Sequence, residues 1–381
     1  MPDNPDALPE PELTESAHAT PPRHKKRPWW QQILSIAVTL LVLVVVFGFV
    51  IPQLADYRSV LDYIGAIDTG EWLVLVALSI WFLVAYAIVL MQVLRTLSLR
   101  EAFVNQTTGT AITNAVPSGG AIALPLNYTM YMSWGFTPAI ISAALLSAGV
   151  WDWLARISLP VLAVFAIAAI GDALGWMWLV SIGGLLFVAG AVYLLVKLLG
   201  NETAARKVAE HIDAISARVF RVIKREKPNV AGMVMQFRID LNRIVRHHFG
   251  RLTAATVGNH VALTGLFTAC VYAVGITQDM IPIPWVVLAF TLGRFLVMIP
   301  VSPGGLGLVD LGWIGILTLG WQTTNPGIPV DASLISAGVL LFRALSFLPP
   351  IPTGMATWLF WRSNKSWRND WQTMRRGETS V

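Results

Sequence analysis

Apolar runs separated by short polar stretches divide this chain into membrane-length pieces. A helix needs roughly 20 apolar residues to cross a bilayer. Runs at 33–51, 72–93, 138–170, 176–199, 252–276 and 332–361 are long enough and predict six spans. Two further runs, 285–299 and 311–319, are too short. Between them lies Ile299-Pro300-Val301-Ser302-Pro303-Gly304-Gly305-Leu306-Gly307-Leu308-Val309-Asp310. Its prolines and glycines cannot continue a helix cheaply, so the pattern predicts two half-helices meeting at a glycine-rich tip. Exposed backbone is tolerated at membrane depth only where protein or a water-filled cavity surrounds it. Region 103–131 is broken in the same way, around Asn105-Gln106-Thr107-Thr108-Gly109-Thr110 and Asn114-Ala115-Val116-Pro117-Ser118-Gly119-Gly120. It reads as a second re-entrant hairpin.

The pattern is written twice. Ala143-Ala144-Leu145-Leu146-Ser147-Ala148-Gly149-Val150 matches Ala332-Ser333-Leu334-Ile335-Ser336-Ala337-Gly338-Val339, and Pro160 and Pro349 keep the same offset. Of the 27 Lys and Arg, only Arg58 falls in a loop assigned outside, and Arg156, Arg294 and Arg343 fall within the membrane. The rest sit in segments assigned to the cytoplasm by the positive-inside rule. That orientation makes the halves inverted repeats. The expected fold is an all-α integral membrane protein of about six spans plus two re-entrant hairpins, with both termini cytoplasmic.

Residues 1–28, rich in Pro, Glu and Thr, read as a disordered cytoplasmic tail. Residues 29–361 form the transmembrane domain, and 362–381 a basic cytoplasmic tail. The first span reads as uncleaved. Val60, Leu61, Ile64 and Ile67 predict a short interfacial helix. In the basic insert 200–250, Val208, Ile212, Ile215, Val219 and Ile223 recur at helical spacing. Two amphipathic helices on the cytoplasmic leaflet, broken at Pro228-Asn229, would meet anionic headgroups. A solvated connector whose charge only fixes topology accounts for the same pattern.

Composition narrows the classes. Charged residues make up 13% of the chain, against about 25% in a soluble domain. The single cysteine excludes an internal disulfide, and the six histidines form no metal-ligand spacing. The net charge of +5 sits in the tails and one loop, which points to topology rather than nucleic acid. No catalytic triad order, P-loop or dinucleotide fingerprint appears, so no enzyme activity and no cofactor are expected.

The chemistry lies in the intramembrane charges, which are costly and by default mark a substrate or ion path. Arg294 and Arg343 have no acidic partner at helical spacing in their own spans, and substrate contact is the first reading for both. They would grip a phosphate through forked, charge-assisted bonds. Backbone N–H groups at Gly304-Gly305 and Gly119-Gly120 would add donors. Asp310 would fix an arginine or take a proton or cation. Asp152 and Arg156, four apart, read first as a structural pair and second as a substrate contact.

Pro300, then Ser302-Pro303-Gly304-Gly305-Leu306-Gly307, the acidic residue at 310 and Arg343 together resemble the lysylphosphatidylglycerol synthase transmembrane-region family, also called flippase-like membrane proteins. Asn114, Pro117, Gly119 and Gly120 resemble its first-half motif. The resemblance covers roughly residues 33–361. It departs in having Asp310, where the family more often has glutamate, and in lacking the soluble aminoacyl-transfer domain. The resemblance implies a flippase moving an anionic phospholipid or polyprenyl-phosphate lipid across the cytoplasmic membrane. With the intramembrane charges, the candidate substrate-binding set is Asn114, Pro117, Ser118, Gly119, Gly120, Asp152, Arg156, Arg294, Pro303, Gly304, Gly305, Gly307, Asp310 and Arg343. The alternatives are an ion-coupled transporter of a small anion, and a non-transporting scaffold for an envelope-synthesis enzyme.

Overall fold

Short polar side chains start several of the helices. The computed structural model describes residues 56–116, 119–171, 175, 177–222, 230–297 and 305–364. Among them the chain forms only α-helices: α1 Tyr57–Gly65, α2 Thr69–Val93, α3 Leu99–Ala115, α4 Gly119–Ser133, α5 Pro138–Ala169, α6 Met177–Gly200, α7 Glu202–Val222, α8 Val230–Ala273, α9 Ile283–Leu296, α10 Leu308–Thr324, α11 Ala332–Phe347 and α12 Pro350–Ser363. The Asp68 carboxylate accepts the Gly70 N–H at 2.8 Å while Glu71 accepts the Asp68 N–H. Ser98 and Glu101 form the same reciprocal box at α3. Such boxes satisfy donors that the first helical turn leaves unpaired. Asp331 caps α11 through the Leu334 N–H and also accepts the Tyr63 hydroxyl at 2.6 Å, which ties α1 to α11.

Five stretches are long and apolar enough to cross a membrane: Thr69–Val93, Pro138–Ala169, Met177–Gly200, Phe249–Ala273 and Ala332–Ser363. They coincide with five of the six expected spans. The sixth, 33–51, lies outside the described residues, as do the 1–28 tail and residues 365–381. A short helix stands where one was expected near Val60, as α1, and the first helix of the basic insert is α7.

Two boundaries differ from expectation. The second helix of the insert does not stand apart from the next span: α8 runs unbroken for 44 residues. Its charged and apolar halves share a sequence without proline, so the polarity change at Phe249 leaves the backbone helical. Near its start, Arg238 Nε and Asn242 Nδ2 donate to the Leu198 and Leu199 carbonyls at 2.8 and 2.7 Å. These are orphan acceptors at the C-terminal end of α6. The last span is two helices, α11 and α12, joined at Leu348-Pro349. By contrast, α5 continues through Pro160.

α3 packs on α4 and α12, α9 on α10 and α5, and α8 against α2, α5 and α11. Small residues permit close approach between membrane helices. A Cβ on Gly354 would stand 2.2 Å from the Thr107 carbonyl oxygen, and one on Gly338 would stand 2.9 Å from the Val271 Cα. Ser147, Ala148, Ser336 and Ala337 of the repeated segment are all buried. Gly149 faces open space, so the repeated glycines do not share one packing role. At the centre, Phe267 lies 5.1–5.2 Å from Phe290, Trp313 and Phe342, ring centre to ring centre.

Candidate functional site

Three arginines line one cavity. It holds about 370 Å³ between α2, α3, α5, α8, α9, α10 and α11. Arg156, Arg294 and Arg343 border it with the uncharged polar side chains of Gln106, Asn114 and Asn259. Phe290, Trp313 and Phe342 form an apolar wall and join the cavity to the aromatic core.

Two contacts hold the Arg343 guanidinium. Its Nε donates to Asp310 Oδ1 at 2.5 Å, and its Cζ sits 4.6 Å from the Trp313 ring centre. Asp310 has no exposed surface, and its second oxygen accepts the Gly307 N–H at 2.8 Å. Gly307 has φ +89°, which favours glycine and turns its N–H back onto that carboxylate. The acidic residue at 310 therefore lies behind the cavity wall and aims an arginine.

Arg156 is held by its neighbour one turn away. Its Nε donates to Asp152 Oδ2 at 2.6 Å. His260 Nε2, nearly buried, approaches Asp152 Oδ1 at 3.1 Å from α8. One carboxylate oxygen thus takes the Arg156 N–H, and the other faces the imidazole.

Arg294 differs from both. Its Nε is buried without a hydrogen-bond partner, and no carboxylate pairs with it among the described residues. Gly293 makes room beside it: a Cβ there would collide with the Trp313 indole, whose Nε1 faces the Phe290 carbonyl at 3.4 Å. The cavity group thus has three guanidiniums against two carboxylates, each already paired. An anion would supply the missing charge, since a buried unpaired charge is costly.

The remaining sequence-derived residues divide. Asn114 lines the cavity while its Nδ2 donates to the Phe347 carbonyl at 3.1 Å. Pro117, Ser118, Pro303 and Gly304 lie outside the described residues. Gly119, Gly305 and Gly307 do not line the cavity. The Gly119 N–H donates to the Val116 carbonyl and the Gly307 N–H to Asp310. Gly119 packs instead, since a Cβ there would meet the Ile112 carbonyl. Gly305 is buried with φ +72°, and it makes the turn into α10. Gly120 faces a neighbouring space of about 290 Å³ between α3 and α4.

Sequence reading missed His260 and Asn259. Their signal was a polar pair inside an otherwise apolar run. His260 also borders a third space, an apolar cavity of about 530 Å³ between α5, α6 and α8. Gln106, Thr110 and Thr113 border both the arginine cavity and the α3–α4 space.

Residues 32–354 match the family model described as the lysylphosphatidylglycerol synthase TM region. No curated protein matches the chain in a sequence search.

Proposed function

The chain belongs to the lysylphosphatidylglycerol synthase TM region family, and on that premise we propose that it is a flippase carrying a phosphate-bearing lipid headgroup between leaflets. The observation that carries this reading is the one cavity bordered by Arg156, Arg294 and Arg343, with Arg294 lacking a carboxylate partner among the described residues. A phosphate there gains planar, forked donors in a shielded setting. Asp310 and Asp152 position two of the arginines and leave the third for the ligand. The substrate is an anionic phospholipid or a polyprenyl-phosphate lipid, and the reaction is movement without covalent change.

The apolar cavity beside the charged one favours a lipid over a small soluble anion. His260 borders the first and touches Asp152, which borders the second. A headgroup among the arginines would have room for an acyl or prenyl chain between α5, α6 and α8.

Movement follows from the broken helices. α3, α4, α9 and α10 each have 17 residues or fewer, short of the roughly 20 that cross a bilayer. In this reading α3–α4 and α9–α10 are re-entrant hairpins of two inverted repeats, with the substrate at their interface and one half rocking against the other. The protein sits in the cytoplasmic membrane with both termini inside, where the basic insert is a docking surface for lipid or an envelope-synthesis enzyme.

Purified full-length protein in liposomes tests the reading. Headgroup-labelled phosphatidylglycerol in the inner leaflet should become accessible to a membrane-impermeant quencher faster than in protein-free vesicles. Transport of inorganic phosphate without lipid movement would favour the small-anion reading. Movement of neither, from protein that is folded by thermal unfolding, would leave the scaffold reading.

A further inference from the structure

The space between α3 and α4 has a chemistry of its own. It opens beside the arginines, because Gln106, Thr110 and Thr113, spaced four and three apart on α3, border both volumes. Its other lining includes Asn127, Gly109 and Gly120, and no charged residue is among the residues that border it.

The polar groups there offer both acceptors and donors. The Thr110 hydroxyl donates to the Gln106 carbonyl, and the Thr113 hydroxyl donates to the Gly109 carbonyl, both at 2.9 Å. Each hydroxyl proton is therefore used, and the lone pairs remain. Gln106 Nε2 donates to Thr110 Oγ1 at 3.1 Å, which leaves its amide oxygen and a second N–H. Asn127 Oδ1 is buried without a hydrogen-bond partner. Polar groups left unmade are costly, so a ligand that both donates and accepts without charge gains there.

We infer that the α3–α4 space is a headgroup annex that takes the neutral, hydroxylated extension of a phosphodiester lipid, such as a glycerol or sugar moiety. The inference rests on the phosphate reading of the arginine cavity and adds the substrate class. Hydroxyls supply donors without charge. An ammonium would also donate, but the annex holds no carboxylate to neutralise it, and the adjacent arginines carry excess positive charge. A cationic, aminoacylated headgroup is therefore disfavoured.

The test uses full-length protein in phosphatidylcholine nanodiscs. Retention is compared for phosphatidylethanol, phosphatidylglycerol and lysyl-phosphatidylglycerol of identical chains. The first two carry one phosphodiester charge and differ in hydroxyls. Phosphatidylglycerol should be preferred over phosphatidylethanol by roughly 2- to 12-fold for each hydrogen bond gained. Lysyl-phosphatidylglycerol should be retained least of the three. Asn127→Leu, which removes the orphan acceptor, and Gly120→Val, whose side chain would enter open space, should erase the glycerol preference and leave phosphatidylethanol retention unchanged. Equal retention of the first two lipids by wild type, or an intact preference in both variants, overturns the annex while the phosphate reading stands. Retention of neither anionic lipid overturns both. Displacement of phosphatidylglycerol by sn-glycerol 3-phosphate would reassign the site to a soluble polyol phosphate and overturn the lipid assignment.

Discussion

Arg343 and Asp310 meet across α10 and α11, 33 residues apart, with Nε 2.5 Å from Oδ1. The carboxylate has no exposed surface and takes a second bond from the Gly307 N–H. Removing one partner leaves a buried charge, which costs on the order of 3–5 kcal/mol, whereas removing both need not. Asp310→Asn should therefore lower the thermal midpoint, and Asp310→Asn with Arg343→Gln should recover much of the loss. A double variant whose loss is the plain sum of the two single losses would contradict the pairing.

Gly307 makes a separate prediction. Its φ of +89° with ψ −65° lies where side chains are strained. Gly307→Ala should cost on the order of 1–3 kcal/mol and weaken the aim of Asp310. Denaturant or thermal unfolding in detergent reads the cost, and a neutral effect would show that the turn relaxes freely.

The α3–α12 contact separates packing from function. Gly354→Ala places a methyl against the Thr107 carbonyl, while the same change at Gly120 meets nothing within 4 Å. Overpacking of a tight contact costs about 1–3 kcal/mol, so Gly354→Ala should destabilise and Gly120→Ala should not. Thermal unfolding of the two variants side by side gives the answer, and equal midpoints would contradict this packing.

Orientation is testable with single cysteines in a Cys270→Ser background. Cys270 is itself buried. Ile215→Cys should label only from the cytoplasm and Asn325→Cys only from outside. Labelling of both positions from one side would remove the inverted-repeat arrangement.

How much of this was legible beforehand follows from range. The spans could be read because apolar length is a local property. The Asp152–Arg156 pair could be read for the same reason. The partner of Asp310 could not, because Arg343 and Arg294 are both remote in sequence and only folding chooses between them. His260 went unnoticed because its meaning depends on Asp152, which a different helix carries. The spacing of the glycines marks breaks, but where their N–H groups go depends on the fold: those of Gly119 and Gly307 bond inside the protein. The continuity of α8 was hidden because a change from charged to apolar composition resembles a boundary while leaving helix formation intact.

The central claim is that Arg294 holds a lipid phosphate. The most direct measurement is anionic-lipid binding and thermal stability for wild type, Arg294→Lys and Arg294→Gln in nanodiscs. A charge-assisted bond contributes about 1.5–3 kcal/mol, so Arg294→Gln should lower phosphatidylglycerol affinity roughly 10- to 150-fold. Arg294→Lys, which keeps the charge but loses the planar fork, should fall between the two. The thermal midpoint should hold or rise in Arg294→Gln, because an unpaired buried charge is gone. Unchanged lipid affinity in Arg294→Gln would contradict the claim.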